Sequence, residues 1–252
     1  MSSNRRLKIF SGQLKPRQVC VSSQPCSGED HSELGPATSG NMRSAVREDI
    51  IKWNGWGFKD AKFAENKDGD ATFTGSQYPI SGQVFPKLKE WFEKECDASL
   101  DTKSPSQPLP HPSTLPMPVI NNFFLQEIKT RNFQYSMDPH MRLFHGHGHT
   151  CHEIFELRHG KLERIPDIVL WPRCHDEVEI IVKTAVNTNV CIIPFGGGTS
   201  VSNALECPKD EQRMIVSLDM KCMNRVLWID EVNLAAHIEA GIIGQELERQ
   251  VN

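Results

Sequence analysis

The 252-residue sequence lacks long hydrophobic runs, and its longest stretches of consecutive apolar residues reach about four, as at 190–193. A membrane-spanning helix needs about 20 apolar residues, so none is predicted. The N-terminus also lacks the apolar stretch of roughly 7–15 residues that marks a secretory signal, and none is expected. A strong excess of either charge is lacking too, because 28 basic and 32 acidic residues leave a formal net charge of −4. This balance argues against a nucleic-acid-binding protein.

Closely spaced cysteines are also missing. The chain contains eight cysteines, but no two of them have the C-x-x-C spacing. Zinc ribbons and thioredoxin-like motifs are therefore excluded. The sequence predicts free thiols in a reducing compartment.

Acidic residues are absent from 1–28, a segment that carries five basic residues and resembles a targeting sequence. Residues 6–14 fit the pattern Arg-Leu-x5-Gln-Leu of a type 2 peroxisomal import signal. At about 100° per residue, a helix would place a cation, an amide and three apolar groups on one face: Arg6, Leu7, Phe10, Gln13 and Leu14. The alternative is a mitochondrial presequence, which is likewise amphipathic and poor in acidic residues.

Composition divides the chain into five parts. Residues 1–45 are polar and predict a flexible N-terminus, whereas 46–103 form a small region rich in aromatic side chains. Residues 104–118 contain six prolines in fifteen positions and predict an extended linker, because proline lacks the backbone N–H and fixes φ. Residues 119–160 form a connecting region, and 161–252 alternate between predicted strands and helices.

Short β-branched runs in the last part predict three buried strands: 167–170, 190–195 and 214–218. Asp176 precedes apolar residues at helical spacing and is predicted to cap a helix. Residues 225–229 and 234–240 flank a turn signal and predict a hairpin. A further helix is predicted to begin at Gly244.

The end of the second predicted strand and the loop that follows it carry the clearest chemical signal: Pro194, Phe195, Gly196, Gly197, Gly198, Thr199 and Ser200. Consecutive glycines let several backbone N–H groups approach one anion, and the two hydroxyls add donors. The pattern is neither a Walker A motif nor Gly-x-Gly-x-x-Gly at a helix start. It favours a different kind of pyrophosphate-binding loop, and the alternative is a plain glycine turn between strands.

Six histidines lie close together between 140 and 159. In an extended segment, residues 145–149 would present three imidazoles on one face, and imidazole is a common metal ligand. The intervening glycines favour a loop, and no carboxylate adjoins the triplet before Glu153. The sequence therefore predicts a polar or substrate-facing loop and no metal site.

Several segments together resemble the alkyldihydroxyacetonephosphate synthase family: 52–58 with its two tryptophans, 163–172, 191–201, 239–241 and 244–250. The resemblance covers nearly all of 46–252 as well as the import nonapeptide. It implies an α+β fold of the vanillyl-alcohol-oxidase-type flavoproteins. The part present would be the first subdomain of a two-subdomain FAD-binding domain of the PCMH type, preceded by a small N-terminal region.

The resemblance implies that FAD is the cofactor and that 194–200 contact its pyrophosphate. It implies the exchange of the acyl chain of acyl-dihydroxyacetone phosphate for a long-chain fatty alcohol, through a flavin adduct and without net redox change. This reaction belongs to ether-lipid (plasmalogen) synthesis in the peroxisome. Besides these substrates, the implied partners are the import receptor for type 2 signals, the peroxisomal membrane and a second copy of the chain.

The family continues well beyond Asn252, so a truncated form is expected. The family's catalytic residues have no counterpart in this chain, and none is assigned within it. The alternative function, from a different class, is a non-catalytic peroxisome-targeted fragment or isoform that acts by binding or is inactive.

We predict that residues 1–30 direct a fused fluorescent protein into peroxisomes. Leu7→Arg should abolish this import, because it places a charge on the apolar face of the predicted helix. Fluorescence microscopy against peroxisomal and mitochondrial markers measures the outcome. A fusion that stays in the cytosol or enters mitochondria would show that the prediction is wrong.

Overall fold

The computed structural model describes residues 47–101 and 107–251, which belong to one unit, Ala45–Asn252. The predicted import signal at 6–14 and the beginning of the predicted linker at 104–106 lie outside the described residues. Within the described ranges, no helix combines the length and apolar composition needed to cross a bilayer.

The aromatic-rich region contains two helices and a three-stranded antiparallel sheet in the order β1-β2-β3. Its elements are α1 (Arg47–Ile50), β1 (Lys62–Glu65), β2 (Ala71–Thr74), β3 (Val84–Phe85) and α2 (Leu88–Cys96). Phe73 of β2 is buried and contacts the rings of Phe63 and Tyr78. Phe63 and Trp91 remain 56% and 58% exposed, so the aromatic side chains of this region pack only in part.

A side chain from the main core holds the proline-rich segment through a main-chain carbonyl group. A short 3₁₀ turn spans Pro112–Thr114. The buried guanidinium of Arg142 donates to the carbonyl of Pro116 at 2.7 Å and to that of Pro166 at 2.7 Å. One buried cation therefore joins this segment to the chain that enters the central sheet.

The remaining elements build the main core. The helices are α3 (Asn122–Thr130), α4 (Pro139–Phe144), α5 (Cys151–His159), α6 (His175–Thr188) and α7 (Gly244–Val251). The strands are β4 (Tyr135–Ser136), β5 (Ile168–Leu170), β6 (Cys191–Phe195), β7 (Ile215–Asp219), β8 (Val226–Asp230) and β9 (Ala235–Ile238).

Four of these strands form one sheet in the order β4-β5-β7-β6. Strands β5 and β6 each pair parallel with β7, whereas β4 pairs antiparallel with β5. Every residue of β5 and β7 is buried, and α3 and α6 pack on them through apolar side chains: Phe124, Ile128, Ile181 and Ala185. The three strands predicted between 167 and 218 are thus confirmed, with ends shifted by a residue.

Two details of the sequence prediction are wrong. Helix α6 begins at His175, with Cys174 at the N-cap and no side-chain cap. Asp176 therefore lies inside the first turn, where its charge complements the helix dipole. The strand predicted to be buried at 190–195 is only partly so, because β6 is an edge strand with a single neighbour.

The predicted hairpin is confirmed, since β8 and β9 pair antiparallel. No residue of either strand is buried. Val232 and Leu234, at the turn, are 91% and 90% exposed. The hairpin therefore contributes little to the described core.

A fully buried carboxylate joins three parts of this fold. The oxygens of Asp167 accept hydrogen bonds from the main-chain N–H groups of Val119 and Ile215, at 2.8 and 2.7 Å. Arg164 forms a bidentate ion pair with Asp167, in which Nη1 donates to Oδ1 and Nη2 to Oδ2, each at 2.7 Å. Asp167 thereby fixes the end of the proline-rich segment against the start of β7.

We predict that Asp167→Ala lowers the free energy of unfolding by about 3–5 kcal/mol, because it leaves two main-chain donors and a guanidinium without their acceptor. Urea denaturation measures the change. The control is Glu163→Ala, whose ion pair with Lys209 is largely exposed and should leave the unfolding midpoint nearly unchanged. Equal midpoints for both variants would contradict the role assigned to Asp167.

Candidate functional site

The glycine loop, residues 196–200, follows β6, and its main chain is accessible to a ligand at two positions. A Cβ atom at Gly196 would meet no described atom within 4 Å, and one at Gly197 would meet only Thr199, at 3.9 Å. Gly198 differs, because its φ is +75° and a Cβ there would lie 2.7 Å from the Phe195 ring. The third glycine therefore permits the turn, and the first two leave room for a ligand to approach the main chain.

Two cavities flank this loop. The aromatic cavity, of about 240 Å³, is lined by the loop, by the tryptophan motif (52–58) and by the end of α4 with the histidines that follow it: Gly197, Thr199, Lys52, Phe58, Phe144 and His147. The basic cavity, of about 390 Å³, is lined by the other side of the loop, two cations and the start of α7: Gly196, Arg47, Lys221, Gly244 and Glu246, whose carboxylate is paired with Arg249. A ligand held by the loop can therefore extend in either direction.

A buried carboxylate at the end of β7 supports the loop. Asp219 Oδ2 accepts hydrogen bonds from Arg47 at 2.6 Å, from His145 Nε2 at 2.9 Å and from Trp171 Nε1 at 2.9 Å. Arg47 also donates to the Gly196 carbonyl at 2.8 Å. One guanidinium thus connects the sheet to the loop and holds positive charge beside it.

The charge of Asp219 is maintained by these partners. Burial alone would raise the pKa of its carboxyl group, but the hydrogen bond from His145 and the charge of Arg47 outweigh burial. The pKa of Asp219 consequently lies below its ordinary value. The carboxylate stays ionised and keeps Arg47 oriented toward the loop.

Among the described residues, Glu48, His145 and Asp219 come close enough together to hold a metal ion. Two cations already neutralise the carboxylates, since Lys221 lies 3.2 Å from Glu48 and Arg47 lies 2.6 Å from Asp219. This arrangement is an ion-pair network, and it uses the Asp219 oxygen that a metal would need. The absence of a metal site stays a prediction.

Residues 145–149, the histidine segment, support the glycine loop from below. The N–H of His149 donates to the Ser200 carbonyl at 2.6 Å, and Trp56 of the tryptophan motif donates to the His149 carbonyl at 3.0 Å. A Cβ at Gly148 would lie 2.5 Å from the same Ser200 carbonyl. The glycine at 148 therefore allows close contact between the two segments.

Glu153 fixes the shape of the histidine segment. Its carboxylate accepts from the N–H of Gly148 at 2.7 Å and, in a capping box, from Thr150 at the start of α5. Burial raises the pKa of Glu153, but these hydrogen bonds outweigh it and the pKa is lowered. The sequence signal was the Thr-x-x-Glu spacing, which marks a helix start.

Comparison with known proteins agrees with this geometry. Residues 166–252 match a family described as the FAD binding domain, and this match includes the glycine loop. The matched domain therefore belongs to the FAD-binding class, and the cofactor predicted from the sequence is confirmed.

Within the FAD-binding proteins, several relatives of this chain share one name. Alkyldihydroxyacetonephosphate synthase of Caenorhabditis elegans is 46% identical over 84% of this chain and 35% of its own length. The same synthase of Dictyostelium discoideum is 31% identical over 85% of this chain and 37% of its own. A solved structure of an alkyldihydroxyacetonephosphate synthase superposes with a TM-score of 0.69 and 31% identity, covering 82% of this chain and 38% of that one.

The chain is thus a homologue of the alkyldihydroxyacetonephosphate synthases, and both the family recognised from the sequence and the α+β fold class are confirmed. It spans 35 to 38% of the length of these relatives. The assignment of 194–200 to the FAD pyrophosphate stays a prediction.

We predict that Asp219→Asn destabilises the protein by about 2–4 kcal/mol near pH 7, because it removes the buried charge that Arg47 and His145 require. A lowered folded-state pKa contributes stability above the unfolded pKa, and this contribution is lost as the pH falls through the folded value. The difference between wild type and variant should therefore be constant from pH 7 to about 5 and shrink below about 4.

Urea denaturation at pH 7, 5 and 3.5 measures this difference. Asp210→Asn, at an exposed position, is the matched control and should not alter stability at any of these pH values. A difference for Asp219→Asn that grows as the pH falls would contradict the proposed charge state.

Proposed function

We propose that the chain binds FAD through the glycine loop, as part of an alkyldihydroxyacetonephosphate synthase. In this proposal the enzyme exchanges the acyl chain of acyl-dihydroxyacetone phosphate for a long-chain fatty alcohol without net redox change, for ether-lipid synthesis. The observation that carries it is the open main chain of Gly196 and Gly197 beside Arg47 and Lys221.

The residues present fit a pyrophosphate group. Main-chain N–H groups of a glycine loop bind phosphate oxygens when no side chain blocks them, and nearby cations neutralise the charge. Arg47 is held by Asp219, and Lys221 is held by Glu48 and lies over the Trp171 ring at 4.7 Å. Both cations are therefore positioned before a ligand arrives.

The bound flavin would supply the electrophilic centre of the exchange. The described residues have a different part in it: they bind the cofactor, orient it and exclude water from one side. No catalytic residue is assigned within this chain.

The tryptophan-motif segment supports a synthase over other FAD-binding proteins. Lys52, Gly57 and Phe58 line the aromatic cavity directly beside the loop. Trp56 holds the histidine segment through its indole N–H. The motif thus forms a wall of the candidate cofactor site. This position gives a functional reason why the motif is shared with the synthase family.

Localisation and partners complete the proposal. Import into peroxisomes would use residues 6–14 and the receptor for type 2 signals. Acyl-dihydroxyacetone phosphate and the fatty alcohol would be the substrates. Contact with the peroxisomal membrane and pairing with a second copy of the chain follow from the family resemblance alone.

We predict that Gly197→Val weakens FAD binding at least tenfold and leaves the thermal unfolding midpoint almost unchanged. Its side chain has space in the free protein but would occupy the place of the phosphate. Gly198→Val should instead destabilise the fold by about 1–3 kcal/mol, because a β-branched residue resists the positive φ and meets the Phe195 ring.

Fluorescence titration with FAD and thermal unfolding measure the two effects separately. Ser202→Val adds the same side chain at an exposed position near the end of the loop and should change neither quantity. An FAD affinity that Gly197→Val leaves intact would place the cofactor elsewhere and overturn the proposed function.

A further inference from the structure

His147 has a ring nitrogen that the described protein leaves without a partner. The side chain is only 4% exposed. Its Nδ1 lies 2.8 Å from the Gly148 carbonyl, which can only accept, so Nδ1 carries the hydrogen. Nε2 is then an acceptor, and it has no hydrogen-bond partner among the described residues.

An unpartnered acceptor in this position is costly. Leaving a buried polar group unsatisfied costs about 1–3 kcal/mol, and buried polar atoms are almost always paired with protein, water or ligand. Burial lowers the pKa of His147, in agreement with a neutral ring whose Nε2 lone pair is free. The atom therefore requires a donor from outside the described chain.

The aromatic cavity beside His147 has the shape of a ring-binding site. Rings of Phe58, Phe144 and Phe195 line it, and the glycine loop closes one side. Its one lysine, Lys52, already donates to the Ala61 carbonyl at 3.0 Å. The cavity thus combines apolar, flat contacts with the buried Nε2 acceptor of His147, which suits a planar heteroaromatic ring that carries an N–H donor.

A second, polar cavity also contacts His147, but it fits a ligand less well. Its volume is about 140 Å³, against about 240 Å³ for the aromatic cavity. Its wall carries charged side chains, Lys161 and Glu156 among them, in place of phenylalanine rings. Two of the charged groups are engaged within the protein: Glu153 accepts from Gly148 and Thr150, and Arg164 pairs with Asp167. His152 lines this polar cavity and not the aromatic one.

We propose that the aromatic cavity binds a planar ring of FAD and that His147 Nε2 accepts a hydrogen bond from an N–H of that ring. This inference rests on the proposed function, because the pyrophosphate at the glycine loop brings a ring within reach of the cavity. Adenine, through its amino group, and isoalloxazine, through its ring N–H, share the required chemistry. ADP and FMN carry these two rings separately and distinguish them.

The experiment is a titration of the full chain with FAD, ADP and FMN. His147→Asn keeps a donor for the Gly148 carbonyl but has no acceptor at the Nε2 position, whereas His147→Gln can place an oxygen there. We expect His147→Asn to weaken FAD binding about tenfold and His147→Gln to stay within about threefold of wild type. The ligand that carries the bound ring, ADP or FMN, should weaken in parallel with FAD.

Two controls separate this site from its surroundings. His152→Asn changes only the polar cavity and should leave all three affinities unchanged. Thermal unfolding of each variant checks that the fold persists. A loss caused by His152→Asn and not by His147→Asn would place the ligand in the polar cavity and reject the inference.

The remaining outcomes distinguish the inference from the proposed function. FAD binding that Gly197→Val abolishes but that both His147 variants retain would mean that water satisfies Nε2, and only the inference fails. The absence of FAD binding by the wild-type chain would reject the proposed function together with the inference.

Discussion

The buried carboxylate of Asp219 is the constraint on which the candidate site depends. It ends the fully buried strand β7 and accepts hydrogen bonds from Arg47, His145 and Trp171. These donors come from the aromatic-rich region, the histidine segment and the end of β5. Because an ionised group without partners is very costly in such a place, the charge obliges all three segments to meet there. The glycine loop is held in turn by the same Arg47.

The candidate site combines a common loop with less common walls. An open glycine turn after a parallel strand suits many phosphate-bearing ligands, so it cannot by itself define a substrate. The residues around this loop are less common among phosphate-binding sites, since the tryptophan motif and the histidine segment line the aromatic cavity. These two segments contact each other through Trp56 and His149. Two segments that are distant in the sequence therefore contact each other beside the glycine loop.

Much of the fold could be predicted because its signals are local. The strands from 167 to 218, the hairpin and the helix at Gly244 follow from periodicity and turn residues within short windows. The errors arose where local signals compete or where sheet position decides. Asp176 resembles a cap but lies one residue inside α6. The burial of β6 depends on its place at the sheet edge, which no window of sequence reveals.

The sequence alone determined the α+β class, the glycine loop, FAD as cofactor and the likeness to the synthases, since these depend on residue types at fixed spacing. Only the tertiary structure decided which charges meet, because Arg47 and Asp219 lie 172 residues apart and the sequence carries no signal that pairs them. It also decided that Gly198 alone of the three glycines has a positive φ, and that His147 is buried with one nitrogen that has no hydrogen-bond partner among the described residues. Such features arise from packing between distant segments, where burial sets the cost of every unpaired polar atom.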